Sequence, residues 1–329
     1  MKHWLALVCA LCLVCALFTG CSADGKAAPP EEPVTVKSIA LKGPTALGMV
    51  RLMERSEAGE LAGNDYRFEI AAAVDEITAK LAKGEVDIAA LPANLSSVLY
   101  NNTDGAIQVL AINTLGVLYI LENGDTIRSV GDLRGRTVYA SGKGATPEYA
   151  LNYILDGNGL DPAADVTIEW KSEHAECLQA LLADEDGVAM LPQPFVTTAL
   201  AQSETLRVAL DLTEEWDDLG TDSALITGVT VVRRSFAEEH PEAVAAFLDL
   251  YRDSVTYVNA NTEAAAELAE RFGIVPAAVA VRALPACNIV LLEGDELKDK
   301  LSGYLAVLME QNPKSVGGAL PGDDFYFSR

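Results

Sequence analysis

"EITAKLAKGEVDIAALP" (residues 76–92) and "ECLQALLADEDGVAMLP" (residues 176–192) align without a gap. Glu76 meets Glu176, Leu81 meets Leu181, Glu85 meets Glu185, Ala89 meets Ala189, and Leu91–Pro92 meets Leu191–Pro192. Each segment reads as an amphipathic helix, a polar turn and a short apolar strand stopped by proline, the second half of a βαβ unit. Earlier in each unit the chain echoes itself again, "KGPTALG" at 42–48 against "GKGATPE" at 142–148. Either two βα units share a composition by chance, or the chain holds two similar lobes. In the second case each lobe places a glycine-rich helix start and a Leu-Pro helix start at the carboxyl ends of its strands, where open α/β sheets bind ligands.

Working outward, apolar strands alternate with amphipathic helices. "VTVKSIAL" (34–41) leads to a helix over 45–57, "YRFEIAAA" (66–73) to one over 75–83, and "VDIAALP" (86–92) to one over 94–100. "IQVLAINTLGVLYILE" (107–122) is two strands almost back to back. The alternation resumes with "RTVYAS" (136–141), a helix from Thr146, "DVTIEW" (165–170), a helix over 174–183, "GVAMLP" (187–192) and a helix over 195–201. After "ALITGVTVVR" (224–233) the chain turns helical, over 240–259, 262–272, 276–286 and 295–311. This order predicts an α/β protein whose mostly parallel sheets are flanked by helices.

"SGKGATPE" (141–148) resembles a phosphate loop but spells neither familiar one. A P-loop needs G-x-x-x-x-G-K-[ST], and here Lys143 is followed by Gly144; a dinucleotide loop needs a third glycine where Pro147 stands. What remains is a run of small residues ending a strand, with Thr146 and Pro147 opening a helix and Glu148 in its first turn. Threonine suits the N-cap and proline the first turn, so Thr146, and Thr45 in the earlier lobe, are expected as caps. Such a helix start turns free backbone N–H groups toward an anion or a polar oxygen.

The chain has 329 residues, enough for two domains and a large core. Half its residues are hydrophobic and 22% are charged, a globular composition. A formal net charge of −24 argues against a nucleic-acid partner, which needs clustered Lys and Arg. Lys2 and His3 precede the apolar run "WLALVCALCLVCALF" (4–18), too short to span a bilayer comfortably and suited to a signal-peptide core. "FTGC" (18–21) then resembles a bacterial lipobox. That resemblance implies a signal peptide over 1–20, cleavage after Gly20, and a lipid on Cys21 that anchors the protein outside the cytoplasm. The pattern prefers Leu where Phe18 stands. "SADGKAAPPEEP" (22–33) has the composition of a tether, so 21–33 is read as a lipidated linker. Cys9, Cys12 and Cys15 leave with the signal peptide, and Cys177 and Cys287 read as small buried hydrophobes.

"GDLRGRTVYASGKGATPEYALNYILDGNGL" (131–160) resembles the second-lobe opening of solute-binding proteins of ABC importers, in the nitrate, sulfonate and taurine branch. "KGPTALGMVRLM" (42–53), "GEVDIAALPANLSSVLYN" (84–101), "HPEAVAAFL" (240–248) and "SVGGALPGDDFYF" (315–327) extend the match over the mature chain. The resemblance, which includes thiamine-precursor binders, implies a type II periplasmic-binding-protein fold. Two lobes joined by two crossing segments would close on a ligand like a hinge. Lobe one is expected at 34–118 plus 230–329 and lobe two at 119–229, with "LGVLYILE" and "ITGVTVVR" as crossings. The closed form would hand a small molecule to membrane permease subunits, the protein acting as a monomer.

The matched positions are Gly43, Pro44 and Thr45 in lobe one, and Ser141, Gly142, Lys143, Gly144 and Thr146 in lobe two. Lys42 and Lys143 could supply charge, the "LPAN" and "LPQP" turns offer Asn94 and Gln193, and Asn113 stands near the first crossing. Tyr139, Tyr149, Tyr153, Trp170 and Trp216 could stack on a flat ligand, although most aromatics in an α/β body are core. No motif calls for a cofactor. Glu173, His174 and Cys177 fall within one helical turn but make a poor metal set. No G-x-S-x-G occurs, and only His174 and His240 survive processing. A lipid-anchored receptor for a small polar or anionic molecule is therefore set against an exported enzyme or a ligand sensor on the same fold, since fold alone does not fix function.

Overall fold

The computed structural model describes residues 33–221 and 223–329. The expected signal peptide, Cys21 and, apart from Pro33, the expected tether lie outside the described residues. The first unit comprises β1 (Thr35–Leu41), α1 (Pro44–Leu47), α2 (Val50–Glu57), β2 (Asp65–Ala71), α3 (Val74–Lys83), β3 (Ile88–Pro92), α4 (Ala93–Asn102) and β4 (Ile107–Leu115). Then follow β5 (Leu118–Asn123), β6 (Thr137–Ser141), α5 (Thr146–Gly157), β7 (Thr167–Lys171), α6 (His174–Ala183), β8 (Val188–Pro192), α7 (Phe195–Gln202), β9 (Leu206–Asp211) and α8 (Leu212–Asp217). The chain finishes with β10 (Ile226–Arg233), α9 (Arg234–Glu239), α10 (Pro241–Ala260), α11 (Thr262–Arg271), α12 (Ala277–Ala283), β11 (Ile289–Leu292) and α13 (Gly294–Gln311).

Two sheets form, in the orders β11-β4-β10-β3-β1-β2 and β7-β6-β8-β5-β9. β1 lies parallel to β2 and β3, and β6 parallel to β7 and β8. Apart from the edge pairing of β11 with β4, the antiparallel ladders come from the crossing strands. β10 inserts between β3 and β4, and β5 between β8 and β9. Thus β1 to β4 share one direction, as do β6 to β9, and the expected parallel character survives an interleaved strand in each sheet. β3 and β8 are buried on both faces except at their prolines, which is why they read as unbroken apolar runs.

The internal echo is structural. α3 and β3 span 74–83 and 88–92, and α6 and β8 span 174–183 and 188–192, the same elements displaced by 174 − 74 = 100 residues. α3 carries Asp75 and Glu76 in its first turn and Lys80 and Lys83 in its last, each sign on the favourable end of the dipole. It stops at Gly84, whose φ of 69° is a left-handed cap.

Several expectations need correction. The helix expected over 45–57 is broken at Gly48–Met49 into α1 and α2. A Cβ at Gly48 would lie 3.1 Å from Ile289 and 3.2 Å from Val255, so the chain passes close against α10 and β11 and a side chain there would make them give way. Ser254 of α10 holds the break, donating to the Gly48 carbonyl at 2.7 Å and accepting from Leu52 N–H at 3.1 Å. The structure also adds β9, α8 and β11, which the alternation did not reveal. Thr45 and Thr146 are not caps: the cap positions are Gly43 and Ala145, and neither has a side-chain cap. Thr45 turns back to donate to Leu41 O at 2.9 Å, and Thr146 sits inside the first turn with its hydroxyl on Tyr304.

Trp216 is fully buried, packed at a tilt against Tyr153 and Tyr304, and so belongs to the core. Cys177 and Cys287 are free and buried.

Candidate ligand-binding site

Strand register fixes where the two sheets turn their carboxyl ends. The start of β10 pairs with the ends of β3 and β4, Gly228 with Pro92 and Ile226 with Leu115. The start of β5 pairs with the end of β8, Leu118 with Pro192. Leu115 and Leu118 are joined only by Gly116 and Val117, three peptide steps spanning at most about 11 Å. The carboxyl edges of both sheets therefore abut the same short crossing. The loops that leave those edges are Lys42–Pro44 after β1 and Gly142–Ala145 after β6.

In the second loop the backbone presents donors. Gly142 and Gly144 have φ of 88° and 78°, the left-handed region that glycine enters without cost. At Gly142 a Cβ would meet Pro147 at 2.7 Å, so both the dihedral and the space require glycine. Ala145 N–H bonds to Gly142 O at 3.1 Å, and Glu148 reaches back to accept from Gly144 N–H at 2.5 Å. The N–H groups of Gly142, Lys143 and Thr146 have no acceptor among the described residues. In the first loop Lys42 N–H bonds to Ala71 O, while Gly43 and Thr45 N–H have no such acceptor. Lys42 and Lys143 are exposed.

Beside the loop, Ser141 and Lys171 are register partners at the ends of β6 and β7, so the start of α6 stands next to the loop. His174 Nδ1 lies 2.6 Å from Ser141 Oγ, and its ring packs 5.2 Å from Phe195. Burial holds the imidazole below its ordinary value, against the opposing charge of Glu173, so the ring is neutral at physiological pH. Burial also pushes the neighbouring Cys177 thiol up, keeping it protonated. Sequence reasoning set His174 aside as one member of a weak metal set. The signal that would have found it is its place at the end of the strand beside β6.

Other expected residues have internal partners. Asn94 donates to Ser315 O at 3.1 Å. Gln193 Oε1 accepts from Thr197 Oγ1 at 2.9 Å. Asn113 is 1% exposed, donating to Thr230 Oγ1 at 3.0 Å and accepting from Thr114 Oγ1 at 2.9 Å. These three side chains tie α4 to the C-terminal segment, hold the start of α7 and link β4 to β10. Gly228 lets Thr45 and Asn113 approach: a Cβ there would lie 2.3 Å from Thr45 Cγ2 and 2.6 Å from Asn113 Oδ1. Tyr149 is buried and its hydroxyl donates to Gly144 O at 3.1 Å, so it braces the loop rather than stacking on a ligand. Tyr139 bonds Asp184 at 3.0 Å under the Lys171 ammonium.

Residues 58–280 match the family model described as ABC transporter, phosphonate, periplasmic substrate-binding protein. Among curated proteins no match is found. Solved structures are similar over nearly the whole chain. An ABC transporter protein from Parabacteroides distasonis is 25% identical, with a TM-score of 0.75 over 91% of this chain and 100% of that one. The periplasmic aliphatic sulphonate binding protein SsuA from Escherichia coli is 17% identical, with a TM-score of 0.70 over 89% of this chain and 96% of its own. The periplasmic nitrate-binding protein NrtA from Synechocystis PCC 6803 is 15% identical, with a TM-score of 0.55 over 82% and 76%. The last two likenesses concern the fold.

Proposed function

This chain belongs to the family of phosphonate-type periplasmic substrate-binding proteins of ABC transporters, and from that premise we propose that it grips the tetrahedral oxyanion head of a small phosphonate or sulfonate. Proteins of this family are extracytoplasmic receptors that bind a small anionic or polar solute for import. The observation that carries the ligand class is the donor set of the second loop. Gly142, Lys143 and Thr146 offer N–H groups without acceptors at the start of a twelve-residue helix. Lys143 adds a cation beside them, and Gly43 and Thr45 add amides from the other sheet. Such a set suits a head group that carries only acceptor oxygens.

We assign the lobes to 34–118 plus 230–329 and to 119–229, with Gly116–Val117 and the start of β10 as hinge segments. Closure would bring the two loops onto one ligand and form the surface that the permease reads. Among the described residues no helix is long and apolar enough to cross a membrane. Attachment is assigned to a lipid on Cys21, with the receptor working as a monomer. Metabolic labelling with a radiolabelled fatty acid should mark the wild type and not C21S, and C21S should leave the membrane fraction.

The ligand class is tested by melting the purified protein with methylphosphonate, 2-aminoethylphosphonate, ethanesulfonate, taurine and nitrate. A ligand at one hundred times its Kd contributes about 2.7 kcal/mol. For a chain of this size that raises Tm by roughly 5 °C. A shift with phosphonates alone, or with sulfonates alone, decides between the two head groups. A shift with nitrate alone would overturn the tetrahedral assignment, and no shift by any oxyanion, with ligand-free protein verified by mass spectrometry, would overturn the anion reading.

A further inference from the structure

The C-terminal helix α13 reaches the ligand loop from behind. Its apolar face, Leu297, Leu301, Tyr304, Leu305 and Leu308, is fully buried. Within that face Tyr304 donates its hydroxyl to Thr146 Oγ1 at 3.1 Å. Two further bonds come from the end of the same helix. Gln311 Nε2 donates to Tyr149 O at 2.9 Å, and Asn312 Nδ2 to Tyr149 Oη at 2.9 Å, whose own proton goes to Gly144 O.

The direction of the Tyr304 bond follows from burial. Tyr304 is inaccessible to solvent and Thr146 is its sole hydrogen-bond partner among the described residues. A buried hydroxyl that left its proton unpaired would bear the full desolvation cost, so the phenol donates. Burial also raises the phenol far above its ordinary value, so it stays a donor at any physiological pH. The threonine oxygen is then an acceptor toward Tyr304. Its own proton has no acceptor among the described residues, and Thr146 is only half-buried, at the mouth of the loop.

We propose that Tyr304 is a positioning residue for ligand binding: by donating into one lone pair of Thr146 Oγ1 it polarises that hydroxyl and leaves its proton for the bound anion. The proposal rests on the anion reading above and adds to it a residue that never touches ligand. The polarised hydroxyl donates most strongly to a charged oxygen, so the device favours anionic over neutral head groups. This ties the selectivity of lobe two to a helix at the other end of the chain.

The test is a double-mutant cycle in the full-length protein with the best anion of the panel. T146A should weaken binding at least tenfold, as expected for loss of a bond to a charged group. Y304F keeps the ring and removes only the hydroxyl, and should weaken binding about fivefold while the enthalpy of binding becomes less favourable. The double variant should bind no worse than T146A alone, because Tyr304 acts through that oxygen. Additive losses would assign Tyr304 a merely structural part and overturn the proposal. So would unchanged affinity in Y304F, or in T146A, against a wild type that binds. If the wild type binds no oxyanion, the anion reading itself has failed. T146S should retain most of the affinity and the sensitivity to Y304F. If Y304F does not fold, Y304W and the T146A/T146S pair carry the comparison, and T146A binding as tightly as T146S overturns it.

Discussion

Replacing Arg207 by alanine should lower the melting temperature by roughly 6–10 °C, the largest stability loss expected from a single side chain outside the apolar core. The cause is Glu122 near the end of β5, whose side chain is 1% exposed. Arg207 Nη2 donates to Glu122 Oε2 at 2.6 Å and also to the Ile127 carbonyl. Thr126 N–H at 2.9 Å and Ile127 N–H at 3.1 Å donate to the same carboxylate, and Arg136 lies 4.0 Å away. Removing the arginine leaves the buried charge with neutral donors and only the more distant Arg136, a change that costs about 3–5 kcal/mol. Replacing both partners by apolar residues of similar volume should cost far less, because no unpaired charge remains.

The same cluster predicts a pH dependence. Burial alone would raise Glu122, but the bonds from Thr126 and Ile127 and the Arg207 charge outweigh it and hold the carboxyl below its ordinary value. A group with a depressed folded value binds fewer protons folded than unfolded. Its contribution is complete above the ordinary glutamate range and fades as pH falls through the lower folded value. Wild-type Tm should therefore fall on acidification from about pH 6 to about pH 3. In R207A that acid limb should flatten, and an unchanged slope would mean that Glu122 does not carry it.

Gly142→Val should reduce affinity for the anion by roughly a hundredfold or more, with a far smaller effect on unliganded stability. The residue holds φ of 88°, and a Cβ would lie 2.7 Å from Pro147 Cγ and 3.1 Å from its Cδ. Proline cannot give way without moving the first turn of α5. The loop must rotate toward extended backbone, which turns the Gly142 and Lys143 N–H groups off the ligand. Losing two charge-assisted bonds of about 1.5–3 kcal/mol each accounts for the size of the effect. Calorimetry of the variant and wild type checks it. Near-normal affinity would place the anion elsewhere on the protein. Gly144→Val is the control: it also has positive φ, but a Cβ there meets nothing within 4 Å.

Much of this protein was legible in the sequence, because the physics is local there. α3 and α6 announce themselves by apolar residues at helical spacing, and β3 and β8 by unbroken runs ended by proline. A repeat of both pairs one hundred residues apart is a statement about two lobes that needs no coordinates. The loop at 141–146 was legible for the same reason, since glycine and proline report backbone conformation directly. Short elements set by their neighbours were not legible. β9 and β11 lie at sheet edges, where partner strands and helices decide the pairing and residue type decides little.

Side-chain partners across long separations lie wholly outside sequence reasoning. Thr146 looks like a cap because threonine usually is one, yet its hydroxyl bonds elsewhere once packing brings Tyr304 within reach. His174 looked like one member of a poor metal set until strand pairing set β7 beside β6 and placed its ring on Ser141. Asn94 and Asn113 looked like free amides until the C-terminal segment and β10 supplied their partners. The sequence by itself determined the units, their order and the loops that can present amides, since each depends on residues within a turn or strand of one another. Only the tertiary structure decided which hydroxyls remain free to donate, because that depends on groups more than one hundred residues away, such as Tyr304, being pressed into contact by burial of an apolar helix face.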